Sequence, residues 1–155
     1  MALPLLETPE FEATLPSTKE SILFRPFLVK EEKILFMALQ GGDQYEMMNA
    51  VKNIIGACVL SPEYFTVENL TMYDVEYLFL KLRGKSVGEQ IDLKVKHPDS
   101  ECTHVTEVSI NLDDIEVQFP ENYTDKIQLT DSVGIKMRPP GINTSLSVKT
   151  DDPGF

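Results

Sequence analysis

The residues best equipped for chemistry are His97, Cys102 and His104, gathered in the stretch His-Pro-Asp-Ser-Glu-Cys-Thr-His. Imidazole nitrogen and thiolate sulfur are ligands zinc prefers, and a turn between two strands can bring them together. The set is one ligand short of a closed tetrahedral site. The gap from His97 to Cys102 is also wider than the usual spacing of paired ligands. The only other thiol, Cys58, falls on the apolar face of an expected helix, where core packing is its natural role. As a thiol catalyst, Cys102 needs an imidazole that faces it, an orienting group and an oxyanion-stabilising element, and the sequence singles out none of these. A polar hairpin turn accounts for the same residues.

Other candidate constellations are thinner. Asp113, Asp114 and Glu116 supply hard oxygen ligands, but without the glycine-interrupted spacing of a calcium loop. The Gly41-Gly42 pair and the Gly84…Gly88 pair match neither a phosphate loop nor a dinucleotide fingerprint, and read as helix stops. Met37, Met47, Met48 and Met72 read as core filler rather than an adaptable binding surface. The sequence therefore predicts no catalytic residues and no cofactor, and His97, Cys102 and His104 are its only metal-ligand candidates.

The elements that position these residues follow from periodicity. Phe11–Leu15 and Ile22–Phe27 alternate as two short strands of a hairpin, and Pro26 places the second at a sheet edge or ends it. Helical spacing then takes over. Leu28–Leu39 has a solvated first turn (Lys30 to Lys33), an apolar stripe at Ile34, Leu35, Ala38 and Leu39, and a stop at Gly41-Gly42. Asp43 can cap Gln44–Val59, whose face is Tyr45, Met48, Val51, Ile55 and Cys58, with Ile54 beside it. The third helix starts at Thr71, with Asp74 as the acidic partner of a capping box, and Gly84 offers a left-handed end. It is apolar on more than one side, which calls for burial against both halves of the chain or against another protein.

After Gly88 the period becomes two. Ile91, Leu93 and Val95 alternate with charged or polar neighbours, and Val108, Ile110 and Leu112 return after a turn at Pro98–Glu101. Val105 is out of phase, which predicts a bulge near Thr106. Ile115, Val117 and Phe119 resume the alternation, and Lys126–Leu129 with Val133–Met137 predict a further hairpin. This order predicts an α+β fold: an N-terminal β-hairpin, a three-helix unit, then antiparallel strands. The expected division is an extended arm (1–10), a hairpin plus helical unit (11–88), an antiparallel β unit sharing its core (89–140), and an extended or truncated tail (141–155).

Twenty-five acidic residues against fourteen basic give a net charge of −11 over 155 residues. Such a surface repels phosphate backbones, so nucleic acid is not an expected partner. Two distant cysteines indicate no disulfide framework and a reduced, intracellular setting. No signal peptide and no membrane-spanning run is expected.

Three stretches carry a family resemblance: Thr8-Pro9 with Leu15-Pro16-Ser17, the run Arg25-Pro26-Phe27-Leu28-Val29-Lys30-Glu31-Glu32-Lys33, and Asp74 through Gly88. Together they make Ala2–Gln118 resemble the T4-type bacteriophage baseplate proteins, which include a baseplate hub subunit of contractile-tailed phages. The resemblance implies a non-enzymatic structural subunit of the tail baseplate hub, assembled in the host cytoplasm. Its partners would be other baseplate or tail hub proteins, with a homo-oligomer inside a symmetric hub as a further option and no membrane partner. It transfers no catalytic residue. Where some relatives carry a Cys-x-x-Cys-like turn, this chain has His97–Cys102, so no zinc knuckle is carried over. The expected contact residues are Leu3 and Leu5 in the arm, and Arg25, Phe27, Lys30 and Lys33, arginine and aromatic groups being favoured interface anchors. Phe27 and Leu28 packing as a hydrophobic staple is the competing reading of that run. Three other functions fit the same sequence. One is a transient hub assembly chaperone absent from the mature virion. Another is a small zinc or thiol enzyme centred on His97, Cys102 and His104. The third is an acidic inhibitor of a basic host enzyme.

Overall fold

The computed structural model describes residues 8–96 and 104–147. The element order is α+β: β1 (Phe11–Thr14), β2 (Ser21–Phe24), α1 (Val29–Gly41), α2 (Gln44–Cys58), β3 (Val59–Ser61), α3 (Met72–Val87), β4 (Gln90–Lys96), β5 (Val105–Asn111), β6 (Lys126–Gln128), β7 (Gly134–Lys136) and α4 (Ile142–Ser147). β1 and β2 form the expected hairpin, but it is not a free pair. β3 adds antiparallel to β2, so the sheet order is β1-β2-β3 and β2 is central. Pro26 therefore ends β2 rather than marking an edge, since a central strand cannot spare a ladder donor. The strand β3 begins where α2 stops, and the Arg25 N–H donates to the Cys58 carbonyl at 3.0 Å to close that corner.

The core is built from β1, β2, α2 and α3. Ile22, Phe24, Ile54, Ile55, Cys58, Val75, Leu78 and Leu82 are all buried, and Phe27, Leu35, Met48, Val51 and Met72 pack around them. α2 turns Ala50, Ile54, Ile55 and Cys58 inward, while Tyr45 stays exposed beyond the end of the stripe. Asp43 caps the helix through its side chain, accepting from the Tyr45 N–H at 3.0 Å.

α3 is the strut of this core. Of its residues from Met72 to Ser86, only Glu76 is exposed. Its capping box is formed as expected, and Asp74 does more than cap. The carboxylate is fully buried; Oδ1 accepts from the Ser17 N–H at 3.0 Å, while Oδ2 accepts from the Thr71 N–H and hydroxyl. One side chain thus fixes the helix start and the β1–β2 loop. Gly84 is not the cap. The helix runs on to Val87, and Gly88 (φ 141°) ends it. Gly84 is a buried contact point, where an added Cβ would sit 3.6 Å from Leu112.

Beyond Gly88 the elements are less covered. β4 and β5 pair antiparallel in continuous register, with Ile91 opposite Ile110, Leu93 opposite Val108 and Val95 opposite Thr106. No bulge occurs at Thr106; Val105 lies on the opposite face of the ribbon. Leu112 opens a single 3-10 turn and is buried against α3. Ile115, Val117 and Phe119 do not form a strand, because no described strand lies beside them to complete a ladder. Phe119 instead packs edge-on against Tyr73, with ring centroids 5.8 Å apart, and contacts Tyr123. β6 and β7 form the expected hairpin, Ile127 opposite Ile135. At the C-terminal end, where the sequence suggested an extended tail, residues 142–147 are helical. Ile142 is fully buried in the core, tethered by its N–H to the Leu70 carbonyl at 3.3 Å.

Candidate protein-interaction surfaces

The chemically equipped residues can be placed only in part. His97 and Cys102 lie outside the described residues, as does the Pro98–Glu101 turn, and His104 is exposed at the start of β5. Among the described residues no cluster of three metal-ligating side chains forms. Cys58 is buried, and that burial pushes its thiol up to about 11, so at neutral pH it is protonated and packed rather than nucleophilic. Asp113 is already engaged by a protein cation. Lys85 Nζ lies 2.7 Å from its Oδ2, and this hydrogen bond holds the carboxyl below its ordinary range. Lys81 caps the same turn by donating to the carbonyls of Leu112 and Asp113. These lysines engage one carboxylate oxygen of Asp113 and two backbone carbonyls of the same turn.

The Arg25–Lys33 run is partly internal. Arg25 donates to the carbonyls of Pro26 (2.9 Å) and Ala57 (3.0 Å) and to Glu31 Oε1 (3.1 Å). Glu31 is buried, not part of a solvated turn, and its Oε2 accepts from the Leu28 N–H at 2.9 Å, which closes the α1 start. Burial pushes the Glu31 carboxyl up. Hydrogen bonds from Arg25, the backbone and Lys30 outweigh that, and leave it below its ordinary value. Phe27 packs on the core, and its N–H donates to Ser86 Oγ at 3.0 Å. Lys30 and Lys33 point outward. Leu3 and Leu5 lie outside the described residues.

The surfaces left open are apolar. α1 buries only Glu31 and Ala38, with Leu35 at the margin. Ile34 and Leu39, expected inside, are exposed. Val29 (80 % exposed), Phe36 and Met37 stand on the far side with Lys33, so this helix is apolar both toward the core and away from it. Periodicity alone could not separate the two faces.

The β ribbons show the same imbalance. On β4–β5 one face carries Ile91, Leu93, Val95, Val108 and Ile110. Most of these are exposed, Leu93 by 42 % and Val95 by 52 %. Apart from Val105 the other face is polar, with Lys94 paired to Glu107 at 3.1 Å and Ser109 bonded to Asp92. On β6–β7, Ile127, Leu129, Val133, Ile135 and Met137 are all exposed. A two-stranded ribbon is marginal in water by itself, and an uncovered apolar face implies a surface that covers it.

Comparison with known proteins accounts for that incompleteness. The family described as T4 bacteriophage base plate protein matches residues 8–153, nearly the whole chain and well past the Ala2–Gln118 span of the sequence resemblance. The chain has no match among curated proteins or among solved structures. It belongs to the T4 bacteriophage base plate protein family, and is a phage baseplate protein.

Proposed function

We propose that this baseplate protein is a non-enzymatic structural subunit of the tail baseplate hub, acting through protein–protein contacts as the tail assembles in the host cytoplasm. The observation that carries the reading is the uncovered apolar surface: one face of each β ribbon and the outer side of α1. Subunits that finish their packing against neighbours present such faces, and monomers that work alone rarely do. The contact residues divide by what the fold leaves free. Lys30 and Lys33, beside Val29 and Phe36, form the charged border of the α1 surface. Arg25 and Phe27 act through the first turn of α1, which they hold in place. Leu3 and Leu5 supply further apolar contacts to partner proteins.

Co-expression with the phage's tail proteins and identification of what co-elutes tests the reading. The expected result is stable co-elution with hub proteins, weakened by charged substitutions at Val29 and Phe36. Mass spectrometry of purified virions then separates a resident subunit from an assembly chaperone: the chain is expected in mature particles, and its absence there would sink the resident role.

A further inference from the structure

We propose that the free edge of β4 pairs with the β4 of a second copy about a two-fold axis, joining two ribbons into a four-stranded antiparallel sheet. The hydrogen-bond phase comes first. The Leu112 N–H donates to the Glu89 carbonyl at 2.7 Å, in the same register that places Gln90 opposite Asn111. Backbone groups alternate sides along a strand, so Ile91, Leu93 and Val95 turn their N–H and C=O groups toward β5. Gln90, Asp92, Lys94 and Lys96 turn theirs outward. Among the described residues, no strand takes up these outward groups.

Antiparallel self-pairing must match outward groups with outward groups, which restricts the axis to registers pairing like parity. With the axis on Leu93, Gln90 meets Lys96, Asp92 meets Lys94, Ile91 meets Val95 and Leu93 meets itself. The strand Gln-Ile-Asp-Leu-Lys-Val-Lys is therefore self-complementary about its centre. The opposite-charge pair Asp92–Lys94 occurs twice by symmetry, and the apolar pairs fall at the positions where side chains approach most closely. Moving the axis by one residue in either direction sets Asp92 against Asp92 or Lys94 against Lys94. The free edge of β5 has no such match, since its centred register opposes Glu107 to Ser109 and Val105 to Asn111.

The existing ribbon extends the pattern. Glu107 already pairs with Lys94, and Ser109 bonds Asp92. Across the joined sheet the polar face reads Glu107, Lys94, then Asp92 and Ser109 of the second copy, with alternating charge. The other face becomes one continuous apolar surface. Lysine on an edge strand commonly blocks pairing. Here Asp92 stands at the position that meets it. Pairing also takes the ribbon from two strands to four, past the point at which a sheet with an apolar face gains independent stability.

The test is the mass of the full chain across a concentration series at moderate ionic strength, where the general repulsion between two acidic copies is screened. The wild type is expected to reach a dimer. Asp92→Lys sets lysines opposite lysines, and Lys94→Asp sets aspartates opposite aspartates. Each is expected to weaken the dimer on the order of tenfold or more. The double variant Asp92→Lys with Lys94→Asp restores opposite charges and is expected to restore the dimer. Circular dichroism checks that every variant is folded. In the wild-type dimer, amide exchange is expected to slow at Gln90, Asp92, Lys94 and Lys96, whose N–H groups have no strand partner in the single chain among the described residues. A chain that stays monomeric throughout its soluble range overturns the proposal. So does a dimer that survives the single reversals, and so does a double variant that remains monomeric.

Discussion

α3 and the β4–β5 ribbon are neighbours in sequence, joined through Gly88, and both have strong hydrophobic patterns, yet their environments are opposite. α3 is enclosed by α2, by the turn at Leu112 and by α4, and even its carboxylate at Asp74 is buried with its oxygens bonded. The ribbon has equally regular alternation and leaves its apolar row in solvent. Hydrophobic pattern specifies which face will be covered. It does not specify by what. For α3 the cover is the same chain, and for the ribbon no described residue supplies it.

That contrast can be broken by mutation. The largest effect is expected in the core: Leu78→Ala should cost about 3 kcal/mol by urea unfolding, since it removes a buried leucine beside well-packed neighbours. Leu93→Ala, on the ribbon, should cost about 0.5 kcal/mol or less in the isolated chain. Equal costs would erase the distinction between the two regions. Asp74→Ala should cost about 2 kcal/mol, because it removes a cap and leaves the Ser17 and Thr71 donors without their acceptor. A smaller effect concerns acid. The folded Glu31 carboxyl lies below its unfolded value, so its contribution is present above the unfolded carboxyl range near ~4.3 and is lost as pH falls through the folded value. Urea midpoints measured from neutral to acid pH should therefore fall less steeply in Glu31→Gln than in the wild type. The smallest effect distinguishes the two glycines of the third helix. Gly84→Ala should be neutral or stabilising by up to ~1 kcal/mol, since its Cβ meets Leu112 at ordinary contact distance inside a helix. Gly88→Ala should destabilise, because φ there is 141°. Thermal melts of the pair check this, and the reverse order would return the cap to Gly84.

Much of the fold was legible because local rules decide it. Thr71 and Asp74 announce the α3 start, Asp43 the α2 start, and the turn at Thr130-Asp131-Ser132 separates β6 from β7. Non-local events were not legible. β3 is three residues long and exists only because β2 offers a ladder partner. Ile142 gives no periodic signal, yet it plugs the core from the far end of the chain. Ile115, Val117 and Phe119 alternate as a strand would, but alternation makes a strand only beside another strand. Glu31 looked like a surface charge because the partner that buries it, Arg25, sits on the preceding strand exit. The open surface on α1 was hidden for a related reason: the helix is apolar on both sides, and only packing shows which side the chain keeps.

Amide hydrogen exchange on this chain, free in dilute solution and again within assembled tails, tests the central claim most directly. Completion of the ribbons by neighbouring molecules predicts that amides of α2 and α3 are protected in both states. Those of β4–β5 and β6–β7 should exchange fast in the free chain and slowly in the assembly. Ribbon amides as protected as α3 in the free dilute chain, or still fast in assembled tails, would contradict it.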